Sequence, residues 1–222
     1  MRKHEFKTLR KLIIILILIF ISCSSDNKNS LAEQFKFLKP EFKSEVKLDF
    51  SKSGIDLIED FENQIQQNFC ESSPYINGLI TKNKEEISFP LVVYKYCDTY
   101  PHFRNRISVL VNFKNEVLID QEFIIKSSEN LENKIIRATK NLIERENKTT
   151  IIYLMGWDTE IDSLKITDRF IEIFSATKTL LNNLSLEKYN KKIDNLTELE
   201  LNELKKIYNP IIGIEQGIIV TE

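Results

Sequence analysis

The chain has 222 residues, 42% of them hydrophobic and 29% charged, with only 5 Gly and 5 Pro. That content supplies a core for one or two small domains and argues against a disordered chain. The formal net charge of −2 argues against a nucleic-acid partner, whose phosphates call for an excess of Lys and Arg.

Met1–Lys11 carries Arg2, Lys3, Lys7, Arg10 and Lys11 against a single acid, Glu5. The ten apolar residues Leu12–Ile21 follow, then Ser22 and Cys23. A basic start, a short apolar run and a small residue form a secretory signal. With its cysteine the segment resembles a bacterial lipoprotein signal, although Phe20 stands where Leu or Val is commoner. That resemblance implies cleavage before Cys23 and acylation of Cys23, palmitate included. Ser24 rather than Asp follows it, which implies the outer membrane, with the chain facing the periplasm or the surface. The alternative is an uncleaved membrane anchor, but ten helical residues span only about 15 Å, half a hydrocarbon core. Met1–Ser22 holds five of the 31 basic residues and one of the 33 acidic ones, so the remainder carries a net −6.

Residues 23–44 read as a lipid tether and linker. Ser24–Ser30 is a polar spacer, and Leu31–Leu48, interrupted by Pro40, predicts a short helix and a loose entry. Residues 45–105 predict a helix and an edge strand. Ser53 can cap the helix, with Asp56 three residues on and Ile55, Ile58, Phe61, Ile65 and Phe69 at helical spacing. Ile87–Tyr96 reads as the strand, placed at an edge by Pro90. Cys70 and Cys97 are an even pair in an exported chain, which reads as a disulfide; two buried thiols are the alternative. Two cysteines with one histidine beyond the signal do not make a zinc site, and no cofactor is expected.

From residue 106 to 222 the pattern is that of an α+β domain with a small mixed sheet. Strands are expected over Ile107–Phe113 and Val117–Ile125, turning at Lys114-Asn115-Glu116. Ser128 opens a helix with Leu131, Ile135, Ala138 and Leu142 on one face. Thr150–Met155 is almost wholly apolar, as a central strand buried on both faces would be, and Gly156-Trp157-Asp158 ends it. A long helix from near Asp162 turns Ile166, Phe170, Phe174, Leu181 and Leu184 inward and gives out in Lys188–Lys192. The last helix starts at Thr197, with Glu200 completing a capping box and Leu196 and Leu201 a staple. Asn209-Pro210 stops it, and Ile218–Val220 can add a strand. The order is β-β-α-β-α-α-(β), an α+β sheet with helices packed on it.

That order resembles the periplasmic domain of the ExbD/TolR biopolymer transport family. ISVLVNFKNEVLIDQEF, the helix Ser128–Glu146, the strand IIYLM and the acidic loop WDTEIDS carry the likeness, which covers Ile107 to the end. KYNKKIDNLTELE (Lys188–Glu200) is similar to a K-F-G-K-x-F-D-x-L-T segment of one branch, with Asn190 for Gly and Ile193 for an aromatic. The resemblance implies an interaction module tied to energy-coupled transport or envelope maintenance. Family members carry a proton on a transmembrane aspartate, and Leu12–Ile21 holds no acid. This chain is therefore not expected to be the proton-driven component itself.

No residue set reads as catalytic. Ser175-Ala176-Thr177-Lys178 fits S-x-x-K, but the Lys-Thr-Thr at Lys148–Thr150 precedes it, the wrong order for penicillin-recognising enzymes. Asp158, Glu160 and Asp162 alternate without the glycine and distal Glu of a calcium loop, so capping the next helix explains them, and no metal is expected. That loop, with Trp157, is the first candidate partner contact. The second is the aromatic run YKYCDTYPHFR, holding Tyr96, Tyr100 and His102 beside Arg104 and Arg106, for a glycan or peptide. Its alternative is a strand end whose rings cover the core. The expected function is a non-catalytic envelope lipoprotein contacting an envelope protein or the cell wall, with a homodimer left open. A ligand-capturing or protective surface lipoprotein is the alternative, and an envelope hydrolase the remotest reading.

Overall fold

Alternating side chains along eight short stretches build a single mixed sheet. The computed structural model describes residues 30–38, 42–71, 75–97, 105–120, 122–124, 131–147 and 149–216, and the account concerns the unit Leu31–Glu222. In chain order its elements are α1 (Leu31–Gln34), β1 (Glu45–Lys47), α2 (Gly54–Ile65), β2 (Tyr75–Lys82) and β3 (Glu85–Tyr94). Then come β4 (Arg106–Val111), β5 (Val117–Ile119), β6 (Glu122–Ile124), α3 (Leu131–Glu146) and β7 (Thr150–Trp157). The helix α4 (Ser163–Tyr189), a 3-10 turn (Ile193–Asn195), α5 (Glu198–Lys205) and β8 (Asn209–Glu215) complete it. The strands lie in the order β1-β2-β3-β8-β7-β4-β5-β6. The four strands β3, β8, β7 and β4 are mutually parallel, and β2, β5 and β6 join by antiparallel pairing.

The class is α+β with a mixed sheet, as the sequence implied, but four details differ. β3 is an interior strand, not an edge: β2 pairs along its whole length and β8 along Leu91–Tyr94. Pro90 is tolerated because pairing with β8 begins at Leu91, one residue past the missing N–H. The stretch expected as one strand over Val117–Ile125 is two, bent at Asp120, which has φ 44° and accepts the Ser108 N–H through Oδ1 at 2.9 Å. β1, β2 and β8 are strands the sequence reading left out. Residues 45–105 thus contribute β1, β2 and β3 to the same sheet as residues 106–222. The signal Met1–Ser22, Cys23, Pro40, Ser128 and Ile218–Val220 lie outside the described residues.

Local chemistry sets the element ends. Ser53 Oγ accepts the Asp56 N–H at 3.1 Å, and Asp162 Oδ1 accepts the Leu164 N–H at 2.8 Å, so both expected caps are in place. Thr197 and Glu200 form the reciprocal capping box. Gln66 and Asn190 close their helices in the left-handed region, where Asn is well tolerated. The β2–β3 hairpin turns on Asn83 and Lys84, with φ 54° and 67°, as a two-residue turn matched to strand twist requires.

The helices α2 to α5 bury their apolar sides in one cluster against one face of the sheet. At its centre Phe170 lies 4.9 Å from Phe50 and 6.3 Å from both Phe89 and Phe174, ring centre to ring centre. Strand residues of one parity, Ile151, Tyr153, Met155 and Trp157 on β7 among them, complete the cluster. A chain of hydroxyls runs through it. Thr139 donates to the Ile135 carbonyl at 2.7 Å and meets the Tyr153 hydroxyl at 2.7 Å, which in turn bonds that of Tyr208. Burial pushes both tyrosine pKa values up, so these groups stay neutral. The opposite parity faces away: Val92, Ile152 and Ile211 form a small second cluster with Tyr75.

Candidate functional site

The carboxyl ends of the parallel strands gather most of the polar groups that the sequence singled out and the structure describes. β3 hands its chain on toward β4 in one direction across the sheet, and β7 hands its chain to β8 in the other. β8 lies between them, so the two connections run toward one another across it. Its last residue, Glu215, lies on the second face, paired in register with Tyr94 of β3.

Glu215 is 5% exposed. Among the described residues nothing hydrogen-bonds or ion-pairs with its carboxylate, yet neither oxygen is sealed from solvent. Burial raises its pKa to about 6, and the Arg106 guanidinium opposes the rise. Gly156 on β7 makes room beside it, since a Cβ there would stand 2.9 Å from Oε1. The first residue of α2, Gly54, presses on the other side of the strand end, where a Cβ would stand 2.7 Å from the Glu215 carbonyl oxygen. Arg106, exposed at the start of β4, lies 5.8 Å over the Tyr94 ring, and Tyr94 meets Tyr96 edge to face at 5.7 Å. Tyr96 is 46% exposed and its N–H donates to Gln216 Oε1 at 3.0 Å.

Of the residues expected at the partner-contact loop, Trp157 is placed otherwise. It is the last residue of β7 and only 5% exposed, packed edge-on to Phe50 at 5.5 Å, with its indole N–H on the Lys52 carbonyl at 3.4 Å. It is a core residue and offers no surface. The strand runs two residues further than Met155, so the parity that buries Tyr153 and Met155 buries Trp157 too. Asp158, Glu160 and Asp162 follow it at the same sheet end: Asp158 Oδ1 accepts the Glu160 N–H at 3.1 Å, Glu160 is exposed, and Asp162 caps α4. Tyr100 and His102 lie outside the described residues, as does Arg104.

Cys70 and Cys97 are bonded to each other, with Cα atoms 5.8 Å apart. The bond joins the turn beyond α2 to the chain beyond β3, beside an ion pair between Lys95 and Glu62 at 2.7 Å. Lys178, of the S-x-x-K pattern, donates to the Gln34 carbonyl at 2.7 Å and pairs with Asp194 at 3.2 Å, while Thr177 is buried. Among the described residues no group of three His, Cys, Asp or Glu could hold a metal ion, and no helix is long and apolar enough to cross a membrane.

Glu215 and Arg106 are the residues that sequence reasoning missed as a pair. The available signal was a lone acid in the apolar stretch PIIGIEQGIIV. Compared with known proteins, the chain matches no family model, no curated protein and no solved structure.

Proposed function

We propose that this chain is a non-catalytic bacterial envelope lipoprotein, held at the outer membrane through lipid on Cys23, whose folded unit contacts an envelope or cell-wall partner. The anchor rests on the basic start, the ten apolar residues and the Ser22-Cys23 junction. In this reading the region from Ile107 onward is an ExbD/TolR-like module transferred to a lipid anchor, without the proton-carrying transmembrane aspartate. The run β4-β5-β6-α3-β7-α4-α5-β8 supports it, with the expected second strand divided in two.

The observation that carries the contact surface is that the Asp158–Asp162 loop and Tyr96 share one end of the sheet. Loops on a rigid scaffold are where recognition concentrates, and Trp157 anchors this one from below by packing on Phe50. Cross-linking in intact cells tests the reading. With photo-reactive residues placed at Glu160 and Tyr96, adducts to transport or cell-wall-linking proteins are expected, and Cys23→Ser should release the chain from the membrane. A Cys23→Ser chain that stays fully membrane-bound and mature in size overturns the anchor; absence of any adduct from either position overturns the contact surface. Exposed Tyr96 favours one second reading, capture of a small ligand at the same end.

A further inference from the structure

A cavity of about 500 Å³ opens between β5 and one flank of α3. The sheet is short there: β5 and β6 have three residues each, beside a helix of sixteen. The inner side of α3 is held elsewhere, since Thr139 meets the Tyr153 hydroxyl of β7 at 2.7 Å and Glu132 accepts the Thr179 hydroxyl of α4 at 2.7 Å. The cavity is therefore framed by elements fixed through other contacts. Its helical wall runs along one stripe, at i, i+3, i+4, i+7 and i+8 from Lys134. Ala138 and Leu142 of that stripe and Ile119 of β5, which is 5% exposed, form an apolar floor. Arg137 and Asn141, both exposed and one turn apart, stand at the mouth. Among the described residues no hydrogen bond or ion pair engages the Arg137 guanidinium. Asp120 lines the β5 side and accepts the Ser108 N–H at 2.9 Å. Lys134 and Arg137 against Asp120 leave the lining with one positive charge in excess. The volume is within the range of about 300–1,000 Å³ in which small-molecule sites fall.

We propose that this cavity binds a small organic acid, one carboxylate carried on an apolar body. The carboxylate accepts from the Arg137 guanidinium, whose planar fork matches it, and from the Asn141 amide one turn on. Lys134 adds charge from the turn before, and the body lies on Ile119, Ala138 and Leu142, where its burial supplies the non-directional part of the binding. Charge sets the selectivity. A single anion balances the excess of one positive charge, a neutral analogue gives up the charge-assisted bond, and an amine meets two like charges. The inference goes beyond the envelope reading and rests neither on the anchor nor on a protein partner.

Calorimetric titration of the full chain in detergent micelles tests it, referenced to empty micelles, with 4-phenylbutyrate and octanoate as probes. The matched alcohol and amine, 4-phenylbutanol and 4-phenylbutylamine, control for charge, and acetate controls for the apolar body. Saturable binding of at least one probe acid is expected, about tenfold or more tighter than any control. Arg137→Gln should weaken it about tenfold, and Ala138→Leu, which fills the floor, at least as much. Arg137 is exposed and Leu is a good helix former, so both variants should melt as folded proteins. The proposal is overturned if neither acid binds saturably, if the alcohol or amine binds as tightly as 4-phenylbutyrate, or if either variant, shown folded, binds like the parent chain.

Discussion

On the helix-covered face of the sheet, Phe170 lies among Phe50, Phe89, Trp157 and Phe174, and the charged groups stay at the rim. On the other face the same strands contribute Val92, Ile152 and Ile211 as an apolar cluster, with Arg106 level with Ile152 at the start of β4 and Tyr94 and Glu215 at the carboxyl ends of β3 and β8. The first face has its polar atoms satisfied internally, down to the hydroxyl chain of Thr139, Tyr153 and Tyr208. The second keeps the Glu215 carboxylate, which has no hydrogen-bond or ion-pair partner among the described residues. Groups that do not improve the folded state and persist at one spot point to a task beyond folding. The difference separates the face that holds the domain together from the face that can meet something else.

Removing the Phe170 ring should break the comparison hardest. Phe170→Ala is expected to lower stability by about 3–5 kcal/mol, read as a lower urea midpoint, because four aromatic neighbours cannot close the space. A loss under about 1 kcal/mol would mean that the helix-covered face is not the main source of stability. The disulfide ties the two sides together, since Cys70 follows α2 and Cys97 follows β3. The double change Cys70→Ser, Cys97→Ser should cost about 3 kcal/mol in the chain-entropy model for a loop of this length, and thiol reductant should lower the parent midpoint equally. A count of two free thiols on denatured, unreduced protein would refute the bond itself.

Glu215 sharpens the contrast through pH. Its folded pKa of about 6 lies above the ordinary 4.5, chiefly through burial, so the folded state takes up a proton that the unfolded chain does not. Its contribution to stability is therefore fully present below about pH 4.5 and lost as pH rises through 6, by about 2 kcal/mol in all. Glu215→Gln should accordingly be the more stable protein at pH 7.5, by up to about 2 kcal/mol, and equal to the parent near pH 4. Urea titrations at the two pH values read this directly, and equal stability at pH 7.5 would show that the carboxylate is not strained by burial.

Much of the helix-covered face was legible because helical spacing is a strong signal. Ile166, Phe170, Phe174 and Leu181 point inward as their period predicts, and the Ser53, Asp162 and Thr197 caps follow from side-chain chemistry alone. β2 was not legible because Asn77-Gly78 interrupts its middle, and only tertiary contact makes that acceptable: the Asn77 amide bonds the Phe42 backbone at both ends. β8 was hidden by Pro210 at its start, next to a helix end. Trp157 was assigned to a loop because Gly156 looked like a strand terminus, whereas that glycine answers to Glu215. Glu215 could be noticed as the one acid in an apolar run, but not its exposure, its missing partner or Arg106, which stands 109 positions earlier in the chain and reaches this face through the crossover from β3 to β4.

The hydroxyl chain also bears on how the sheet finds its alignment. β7 is apolar on both sides, so hydrophobic burial alone would accept it shifted by one residue, with every side chain turned to the opposite face. Such a shift would carry the Tyr153 hydroxyl away and strand that of Tyr208 inside the core, while Thr139 keeps its bond to the Ile135 carbonyl. Each buried hydroxyl left unpaired costs about 1–3 kcal/mol. Three small polar atoms, drawn from α3, β7 and the lead-in to β8, thus proofread the assembly of the central strands, rejecting misaligned packings that greasy side chains would let pass.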